Sequence, residues 1–336
     1  MKRFLHRLAE EIWYGKHPAR LILLPFSWVF LAVVRLRRMM FTTGLFGIFR
    51  APVPVIVVGN LTVGGSGKTP LVIWLVQRLQ AWGFKPAIVA RGYGGRARSW
   101  PQQVRPDSDP VVVGDEAIVL ARRTQAAVAV GPRRSDDIEQ LLLHSDANIV
   151  ICDDGLQHYG LGRDIEIALL DGVRRLGNGL CLPAGPLREP ESRLEEVDLI
   201  VTQGLAGRQE FAMQYQIREA RRVKRPEEVC LLTEFRAPRV HAVTAIGHAE
   251  KFFRMLRQAG LTLDEQAYPD HFFFSRQHFV FEDNYPILMT EKDAVKCEAF
   301  ADDRFWFAPL EVELPEVFDR RLKILLKKVI HGQETA

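Results

Sequence analysis

The sequence predicts an α/β protein whose main unit is a largely parallel β-sheet flanked by helices. Residues 55–58 (VIVV) are β-branched and carry no polar side chain, which is typical of a strand buried on both faces. A glycine-rich segment and an apolar helical segment follow, and strands and helices then alternate to about residue 205. This alternation indicates a doubly wound sheet, in which ligands bind beyond the carboxyl ends of the strands.

The segment after the first strand, GNLTVGGSGKTP (59–70), predicts a phosphate-binding loop. Its glycines allow positive φ angles, so that successive N–H groups can face one anion. Lys68 would reach the β- and γ-phosphates of a nucleotide, and Thr69 would offer its hydroxyl to Mg²⁺. The strict pattern has glycine where this chain has Thr62, and an ordinary βα turn is the alternative. The order of strand, loop and helix favours a P-loop NTPase-like unit whose nucleotide-binding residues are Gly64, Gly65, Ser66, Gly67, Lys68 and Thr69.

The elements after the loop follow in order. KPAIVA (85–90) predicts a second strand, and VGDEAIVLARR (113–123) predicts a helix with acids in its first turn. NIVICDD (148–154) and DIEIALLDG (164–172) predict two further buried strands. Most polar candidates for chemistry therefore follow the carboxyl end of a strand.

A chain of 336 residues is long for one domain, so two units are expected. FAMQYQIREARRV and EVCLLTEFRAP predict a two-stranded connector, and the strands and helices after it predict a second, smaller α/β unit. The resulting division is an N-terminal helical segment (1–50), a nucleotide-binding domain (51–205), a linker (206–238) and a C-terminal domain (239–336).

Cysteine usage and charge restrict the environment. The four cysteines are far apart and form no C-x-x-C pair, which indicates reduced thiols in the cytosol and neither disulfides nor a zinc site. The net charge of +4 is uneven, because residues 1–50 hold nine Lys or Arg and only two acids. Because the basic charge is local, we expect no nucleic-acid partner, and the sequence implies no protein partner.

The basic N-terminal segment contains an apolar run, LILLPFSWVFLAVV (21–34), with arginines on both sides. As a helix this run would be about 21 Å long, short of the roughly 30 Å hydrocarbon core, and Pro25 interrupts it. Neither a membrane span nor a cleaved signal peptide fits well. The arginines and Trp28 favour a helix at the surface of an anionic membrane, and a buried helix packed on the sheet is the alternative.

Two pairs of acids are candidates for catalysis and metal binding. Asp153 and Asp154 follow a buried strand directly, where a nucleotide-binding sheet places a carboxylate for Mg²⁺; a solvated turn is the alternative. Asp115 and Glu116 begin a predicted helix. One of them could take a proton from an acceptor hydroxyl while the other helps to bind metal, although favourable placement at a helix N-terminus explains them equally well.

Other candidates are weaker when taken singly. His271 lies among aromatic residues in YPDHFFF, where a packed histidine is more common than a catalytic one. Arg91 and Tyr93 lie in the turn RGYGG, and Arg188 lies in GPLREP. The arginines could clamp a phosphate bidentately, and a solvated surface arginine is the ordinary alternative.

Taken together, the motifs resemble one family, the tetraacyldisaccharide 4'-kinases of lipid A biosynthesis in Gram-negative bacteria. The motifs that carry the resemblance span residues 59–296 in order: GNLTVGGSGKTP, ARGYGG, VGDEA, DDGLQH, LPAGPLREP, YPDH and TEKDAVK. The segment WYGKHPARLILLPFSW precedes them. Thr62 in the glycine loop is itself usual in this family, whereas Ala117 after GDE and Leu156 after DDG depart from its common wording.

The resemblance implies transfer of the γ-phosphoryl group of ATP to the 4'-hydroxyl of a tetraacylated glucosamine disaccharide 1-phosphate. This reaction would take place at the cytoplasmic face of the inner membrane, in a cleft between two α/β units joined by a two-stranded linker. Asp115 would be the base and His271 would pair with it, while Lys68 would serve the phosphates. The resemblance also implies a Mg²⁺ site that draws on Thr69, Glu116, Asp153 and Asp154, and a substrate site that includes Arg91, Tyr93 and Arg188.

The main rival interpretation is a membrane-associated P-loop ATPase or GTPase switch, which would hydrolyse its nucleotide with water. The tetrapeptide TEKD (290–293) is weakly similar to the guanine-reading N-K-x-D, but Thr290 replaces the asparagine that would contact the base. Guanine preference is therefore not expected.

Overall fold

The computed structural model of the protein describes residues 2–64, 67–235 and 239–334. The predicted α/β class is confirmed, with a large parallel sheet and an apolar N-terminal helix. The helices are α1 (Lys2–Tyr14), α2 (Ala19–Thr42), α3 (Lys68–Ala81), α4 (Pro110–Val113), α5 (Asp115–Thr124), α6 (Arg134–Leu143), α7 (Ala249–Gln258), α8 (Glu291–Cys297) and α9 (Glu316–Glu334).

The strands fall into two sheets. They are β1 (Val55–Gly59), β2 (Pro86–Ala90), β3 (Gln102–Val104), β4 (Ala127–Val130), β5 (Ile149–Asp153), β6 (Ile165–Asp171), β7 (Leu199–Gln203), β8 (Phe211–Gln216), β9 (Glu219–Arg222), β10 (Val229–Leu231), β11 (Val240–Thr244), β12 (Leu263–Ala267), β13 (Ile287–Thr290), β14 (Phe305–Ala308) and β15 (Glu311–Glu313).

In the described part of the chain, the large sheet has nine strands in the order β15-β8-β7-β6-β1-β5-β2-β4-β3. Neighbours from β8 to β4 are parallel, and the edge strands β15 and β3 are antiparallel. Every residue of β1, β2, β5 and β6 is buried, because helices cover both faces of the sheet. Helix α3 packs Leu71, Leu75 and Leu79 into the core on one face of this sheet.

The smaller sheet contains six strands among the described residues, in the order β10-β9-β14-β13-β11-β12. Strands β14, β13, β11 and β12 are parallel, and β9 and β10 are antiparallel additions at one edge. Only residues 217–218 separate β8 in the large sheet from β9 in the small one. The last residues of the predicted linker, 236–238, lie outside the described residues.

The end of the chain returns to the large sheet. The sequence-based division assigned all of residues 239–336 to the smaller unit, but β15 pairs with β8, and Glu311 lies opposite Gln216. Helix α9 then buries Phe318, Leu322 and Leu326 in the core of the large unit. Because its apolar residues recur every four positions, α9 has one apolar face, and this face packs against the large sheet.

Helix α2 is longer than the apolar run predicted. It has 24 residues, or about 36 Å at 1.5 Å per residue, and Pro25 lies inside it. Because proline has no N–H, the helix lacks one backbone hydrogen bond in its second turn. By length and composition alone α2 could cross a membrane, and 6% of its apolar window is buried in the protein.

Candidate active site

The candidate site lies at the carboxyl ends of neighbouring strands in the large sheet. Strand β5 lies between β1 and β2, and Asp153 pairs in register with Val58 of β1. The glycine loop therefore follows the strand next to the one that carries Asp153 and Asp154. Arg91 and Tyr93 follow β2 on the other side of β5. Strands β1, β2 and β5 are far apart in sequence, but the polar residues at their carboxyl ends lie at the same edge of the large sheet.

The glycine loop has the backbone that its composition predicts where it is described. Gly64 and Gly67 have φ angles of +117° and +78°, which glycine adopts without strain. Lys68 and Thr69 are the first two residues of α3, so the free N–H groups at the start of this helix point back toward the loop. Gly65 and Ser66, also predicted to bind nucleotide, lie outside the described residues.

Lys68 is held between two polar groups at the base of the loop. Its Nζ lies 3.1 Å from Oδ1 of Asn60 and 3.2 Å from Oδ1 of Asp154. Arg188 reaches the same aspartate from the other side, with Nη1 3.2 Å from Oδ1. Burial alone would raise the pKa of Asp154, but Lys68 and Arg188 hold it below its usual range. Asp154 is therefore a carboxylate shared by two cations.

Asp153 has the opposite electrostatic environment. It is buried, and burial together with the charges of Asp154 and Glu116 raises its pKa to about 7 although Lys68 opposes this shift. Its Oδ1 has no hydrogen-bond partner within the part of the chain that the structure describes. A buried carboxylate oxygen without a donor is destabilising by itself, and a cation would relieve that cost.

The oxygens near the loop fit Mg²⁺ better than a transition metal. The candidates are the carboxylates of Asp153, Asp154 and Glu116 and the hydroxyl of Thr69, all hard oxygen donors. No cluster of three or more His, Cys, Asp or Glu side chains that could hold a metal occurs in the described ranges. Mg²⁺ needs no such cage, because it usually keeps several waters and binds substrate phosphates.

Asp115 and His271 meet between the two units. Nδ1 of His271 lies 3.3 Å from Oδ2 of Asp115, and Nζ of Lys296 lies 3.7 Å from the same oxygen. Burial raises the pKa of Asp115, but the hydrogen bond from His271 and the charges of Lys292 and Lys296 outweigh this and leave it lowered. The buried Asp115 is thus an ionised carboxylate at neutral pH.

Glu116, the neighbour of Asp115, is paired with a residue that sequence analysis missed. Its Oε1 lies 3.0 Å from Nζ of Lys292 at the start of α8. Lys292 also lies 3.3 Å from Oδ1 of Asp270. Burial lowers the pKa of Lys292, but the surrounding carboxylates raise it above its usual range. Lys292 belongs to the motif TEKDAVK, but the sequence pattern alone assigns no role to the lysines of this motif.

Helix α8 is fixed to α5 beside this cluster. Arg123 of α5 pairs with Glu291 at 3.0 Å, and Arg122 pairs with Glu298. The hydroxyl of Thr290 caps α8 by accepting the N–H of Asp293. Capping is thus a structural reason for the threonine in TEKD, and it explains this tetrapeptide without a guanine base.

The predicted substrate residues have different surroundings. The ring of Tyr93 lies 4.9 Å from that of His271, and the tyrosine is 63% exposed at the mouth of the cleft. Arg188 contacts Asp154, which also contacts Lys68. Arg91 is exposed beside the same edge of the sheet, where its charge adds to burial in lowering the pKa of His158 to about 4.

Arg134 is a buried arginine next to the site. Its Nη1 donates to the carbonyl oxygens of Ala90 at 2.9 Å and Gly131 at 2.6 Å. The guanidinium therefore joins the ends of β2 and β4 beneath the site. A second buried group, Glu189, accepts hydrogen bonds from Gln157 at 2.7 Å and Tyr159 at 2.6 Å and supports the segment that carries Arg188.

Comparisons with known proteins were made on the whole chain. A family model described as tetraacyldisaccharide-1-P 4'-kinase matches residues 19–327. A tetraacyldisaccharide 4'-kinase of Nitrosococcus oceani is 51% identical over 325 residues, covering 96% of this chain and 95% of the relative. One of Methylobacillus flagellatus is 44% identical over 337 residues, covering 99% and 100%.

The fold is similar to a solved structure of the same kind of enzyme. The crystal structure of the "apo" form of LpxK from Aquifex aeolicus in complex with ATP superposes with a TM-score of 0.78 at 28% identity. The match covers 92% of this chain and 99% of the other.

Proposed function

The chain belongs to the tetraacyldisaccharide-1-P 4'-kinase family, and we therefore propose a role in phosphoryl transfer for each residue of its site. The protein is an ATP-dependent kinase of lipid A biosynthesis that phosphorylates the 4'-hydroxyl of a tetraacylated glucosamine disaccharide 1-phosphate. The product is the 1,4'-bisphosphate. The observation that carries the residue assignment is the ionised Asp115, 3.3 Å from His271, beside the edge of the sheet that holds the glycine loop.

The glycine loop and α3 hold the triphosphate of ATP. We assign phosphate binding to the N–H groups of Gly64, Gly65, Ser66 and Gly67, and we assign contact with the β- and γ-phosphates to the charge of Lys68. Lys68 contacts Asn60 and Asp154 at the base of the loop. Binding of ATP exchanges part of this pairing for the phosphates.

Mg²⁺ fits the oxygens that border the loop, and it would neutralise charge on the β- and γ-phosphates. Thr69, Glu116, Asp153 and Asp154 are the residues of this chain that would hold it or its water shell. The raised pKa of Asp153 supports this role, because a cation makes its ionisation favourable. Arg188 keeps Asp154 in place from the side opposite Lys68.

Asp115 acts as the general base. As the 4'-oxygen bonds to the γ-phosphorus and the bond to the bridging oxygen of ADP breaks, the hydroxyl proton passes to the carboxylate of Asp115. The low pKa of Asp115 keeps it ready to accept that proton at neutral pH. His271 orients the carboxylate from the smaller unit, so the base is complete only when the two units are in contact.

The disaccharide binds at the mouth of the cleft. Tyr93 offers an exposed aromatic face beside His271, suited to the apolar face of a sugar ring. Arg91 and Arg188 contribute positive charge for phosphate groups. This arrangement brings the 4'-hydroxyl toward Asp115 while the acyl chains extend away from the sheet.

Helix α2 associates with the membrane through one face while its other face packs on the protein. Leu21, Ile22 and Phe26 on the outer face are 62%, 74% and 63% exposed. On the inner face the hydroxyl of Ser27 donates to the carbonyl oxygen of Cys181 at 2.7 Å, and Arg38 pairs with Glu196.

These contacts lie at Ser27 and Arg38 of α2, and crossing the bilayer would require breaking them. The helix therefore lies on an anionic membrane surface, and its neighbouring arginines favour anionic headgroups. The protein accordingly works as a peripheral enzyme at the cytoplasmic face of the bacterial inner membrane.

We amend the domain division in two respects. Residues 1–50 form the membrane-associating segment, and 51–205 belong to the nucleotide-binding domain. The predicted linker (206–238) is divided between the units, because β8 lies in the large sheet and β9 and β10 lie in the small one. The smaller domain therefore lies between Gln216 and Glu311, and β15 and α9 complete the nucleotide-binding domain.

The test is transfer of labelled γ-phosphate from ATP to a detergent-dispersed tetraacyl disaccharide 1-phosphate. We expect label in the lipid, and a rate for Asp115→Asn that is lower by about 10²- to 10⁴-fold. Label that appears only as free phosphate, with the lipid making no difference, would instead support the nucleotide switch. Full activity of the variant would remove Asp115 from the role of base.

A further inference from the structure

Two arginines of helix α5 in the larger unit pair with two glutamates of helix α8 in the smaller unit. Nη1 of Arg123 lies 3.0 Å from Oε2 of Glu291. The guanidinium of Arg122 binds Glu298 through both terminal nitrogens, and its Nη2 lies 2.9 Å from Oε2. Nε of Arg122 also donates to the carbonyl oxygen of Pro106 at 2.7 Å, which fixes the plane of the guanidinium. We call the pairs Arg122–Glu298 and Arg123–Glu291 the arginine clamp.

The clamp lies on the same side of α5 as the acids of the candidate site. Arg122 follows Asp115 by seven residues, and α5 includes both. Arg123 follows Glu116 by the same spacing. Seven residues are close to two full turns of an α-helix, or about 10.5 Å along its axis. The contact between α8 and the second half of α5 therefore determines how α8 lies against the first half.

Helix α8 is in turn joined to the segment that carries His271. The buried carboxylate of Asp293 in α8 accepts hydrogen bonds from the hydroxyl of Thr244 at 2.8 Å and the N–H of Ala245 at 3.1 Å. The carbonyl oxygen of Ala245 accepts the N–H of His271 at 3.3 Å. Movement of α8 along α5 would therefore carry His271 with it, and the 3.3 Å contact between His271 and Asp115 depends on the position of α8.

Both pairs of the clamp have features that strengthen an ion pair. An isolated exposed pair contributes little, whereas a bidentate arginine–carboxylate contact or a group of neighbouring pairs contributes more. The side chains of Arg123 and Glu291 are 21% and 15% exposed, so water screens only part of their attraction. Both arginines lie on one helix and both glutamates on the other, so the clamp acts between the two units.

We propose that Arg122 and Arg123 are positioning residues, which hold α8 at the place where His271 contacts Asp115. The inference deepens the proposed function and rests on its assignment of Asp115 as base. A slip of α8 by one helical turn, about 5.4 Å, would break the contact between His271 and Asp115. The glycine loop belongs to the larger unit, so the clamp acts on the transfer step and not on the binding of ATP.

The first test removes the charges of the clamp. In the variant with Arg122→Gln and Arg123→Gln, we expect kcat for transfer to the lipid to fall by about 5- to 30-fold. The dissociation constant of ATP, measured by calorimetry, should stay within about twofold of wild type. An unchanged kcat would overturn the proposal, and so would a loss of ATP binding that accounts for the whole loss of activity.

Reversal of one pair tests whether the attraction itself matters. Arg122→Glu and Glu298→Arg each place like charges opposite each other, so each single variant should be slow. The two changes together restore an attraction between α5 and α8, and we expect kcat to recover above that of either single variant. A folded double variant no faster than the slower single variant would show that the pair does not position α8.

The second test measures the distance between the units by electron spin resonance. Spin labels are attached to Leu143→Cys at the end of α6 and to Val280→Cys in the smaller unit, which are 73% and 79% exposed positions. Cys230→Ser removes the one cysteine that is not buried. We expect one narrow distance with the clamp intact, and a longer and broader distribution with Arg122→Gln and Arg123→Gln. Identical distributions would overturn the proposal.

The matched control is Arg257→Gln. Arg257 pairs with Glu250 and with Glu265, and all three residues lie in the smaller unit. This variant removes an arginine from two ion pairs without touching the contact between the units. Its kcat and its spin-label distance should equal those of wild type. A loss of kcat as large as that of the clamp variant would mean that the position of the pairs between the units is not the cause.

The two inferences fail separately. A wild-type enzyme that transfers no phosphoryl group to the lipid would contradict the proposed function, whatever the distance between the units. An active wild type whose kcat and spin-label distance are unchanged by the loss of both arginines would leave the kinase in place and remove the clamp from its role.

Discussion

The hydroxyl of Tyr215 donates a hydrogen bond to the carbonyl oxygen of Gly67 at 3.2 Å, so the strand that leads to the smaller unit contacts the phosphate loop. A Cβ on Gly67 would lie 1.5 Å from this hydroxyl oxygen. Gly67 therefore must be glycine for its φ of +78° and for the approach of Tyr215. Tyr215 itself is partly buried, and burial raises the pKa of its hydroxyl, which remains a donor at neutral pH.

Tyr215→Phe tests this contact with the ring retained. The variant loses one neutral hydrogen bond, worth about 0.5–1.5 kcal/mol, so the fold should persist and the loop should hold ATP less firmly. We expect the KM for ATP to rise several-fold with a smaller effect on the KM for the lipid. Gly67→Ala should have the larger effect, and we expect it to abolish ATP binding measured by calorimetry. Normal ATP binding in both variants would contradict a role for this contact.

Lys68→Ala should abolish turnover, because no other described cation is held at the base of the loop between Asn60 and Asp154. We expect kcat/KM to fall by more than about 10³-fold in the labelled-phosphate assay. The matched control is Lys85→Ala, which removes an exposed lysine paired with Asp146 and should leave activity unchanged. Substantial activity of Lys68→Ala would sink the assignment of the phosphate site.

Asp153→Asn should stabilise the metal-free protein while it removes activity. Burial raises the pKa of Asp153 to about 7 from 3.8, so the folded state retains a proton that the unfolded chain releases. Stability from this site therefore falls as the pH rises from about 4 through about 7. Above pH 7 we expect the variant to be more stable by on the order of 1–3 kcal/mol in urea unfolding with a chelator present.

The neighbouring aspartate supplies the control for that experiment. Lys68 and Arg188 outweigh burial and lower the pKa of Asp154, so its ionised form stabilises the fold above the unfolded pKa of 3.8, and this is lost as the pH falls. Asp154→Asn should accordingly be less stable than wild type at neutral pH. Equal pH profiles for the two variants would show that the two carboxylates do not differ as described.

Replacing the outer face of α2 should release the protein from vesicles. Ile22→Gln, Phe26→Gln and Val29→Gln together remove exposed apolar area that contributes little to the core. We expect binding to vesicles with anionic lipid to weaken by at least about tenfold, with little change in thermal stability. Deleting residues 1–38 should also release the protein, but it removes Phe30 and Leu31, which pack on the large unit.

The control for the membrane experiment uses apolar side chains elsewhere. Val173 and Leu205 are 89% and 88% exposed and lie outside the N-terminal segment. Val173→Gln with Leu205→Gln should bind vesicles like wild type. Continued tight binding of the α2 variant would place the membrane contact on another surface.

Asp115 and His271 should behave as one unit in a double-mutant cycle. If His271 acts only through the carboxylate 3.3 Å away, the double alanine variant should be little slower than the slower single variant. Rates of phosphoryl transfer for the four proteins give the coupling energy. Losses that add would mean that the two residues contribute independently to the reaction.

Local patterns predicted the parts of the molecule that depend on local sequence. The strand Val55–Gly59 and the helix Lys68–Ala81 form as the buried strand and the helical periodicity indicate, and Gly64 and Gly67 have the positive φ angles that the glycine pattern predicts. The strand-end positions of Asp153 and Arg91 followed from the rule for parallel sheets, which needs only the order of the elements.

Contacts between distant segments could not be predicted in this way. Lys292 meets Glu116 across 176 residues, and Tyr215 meets Gly67 across 148 residues. Nothing in the local composition of these segments specifies their partners, because the first contact depends on how the two sheets are placed and the second on the order of strands in the large sheet. The same reason explains the error for α9: its periodicity predicts a helix but does not say which sheet it covers.

The pairing of Gln216 with Glu311 has a topological consequence. The chain leaves the large sheet after Gln216 and re-enters it at Glu311, and these residues are opposite each other in an antiparallel pair. The smaller unit is therefore a contiguous insertion whose entrance and exit are a few ångströms apart. When the cleft opens, the two segments that connect the units must bend at the same place. The motion is therefore restricted to a rotation about a single hinge. A short turn between Gln216 and Glu311 could therefore replace the whole smaller unit, as in proteins that have a domain inserted within a loop.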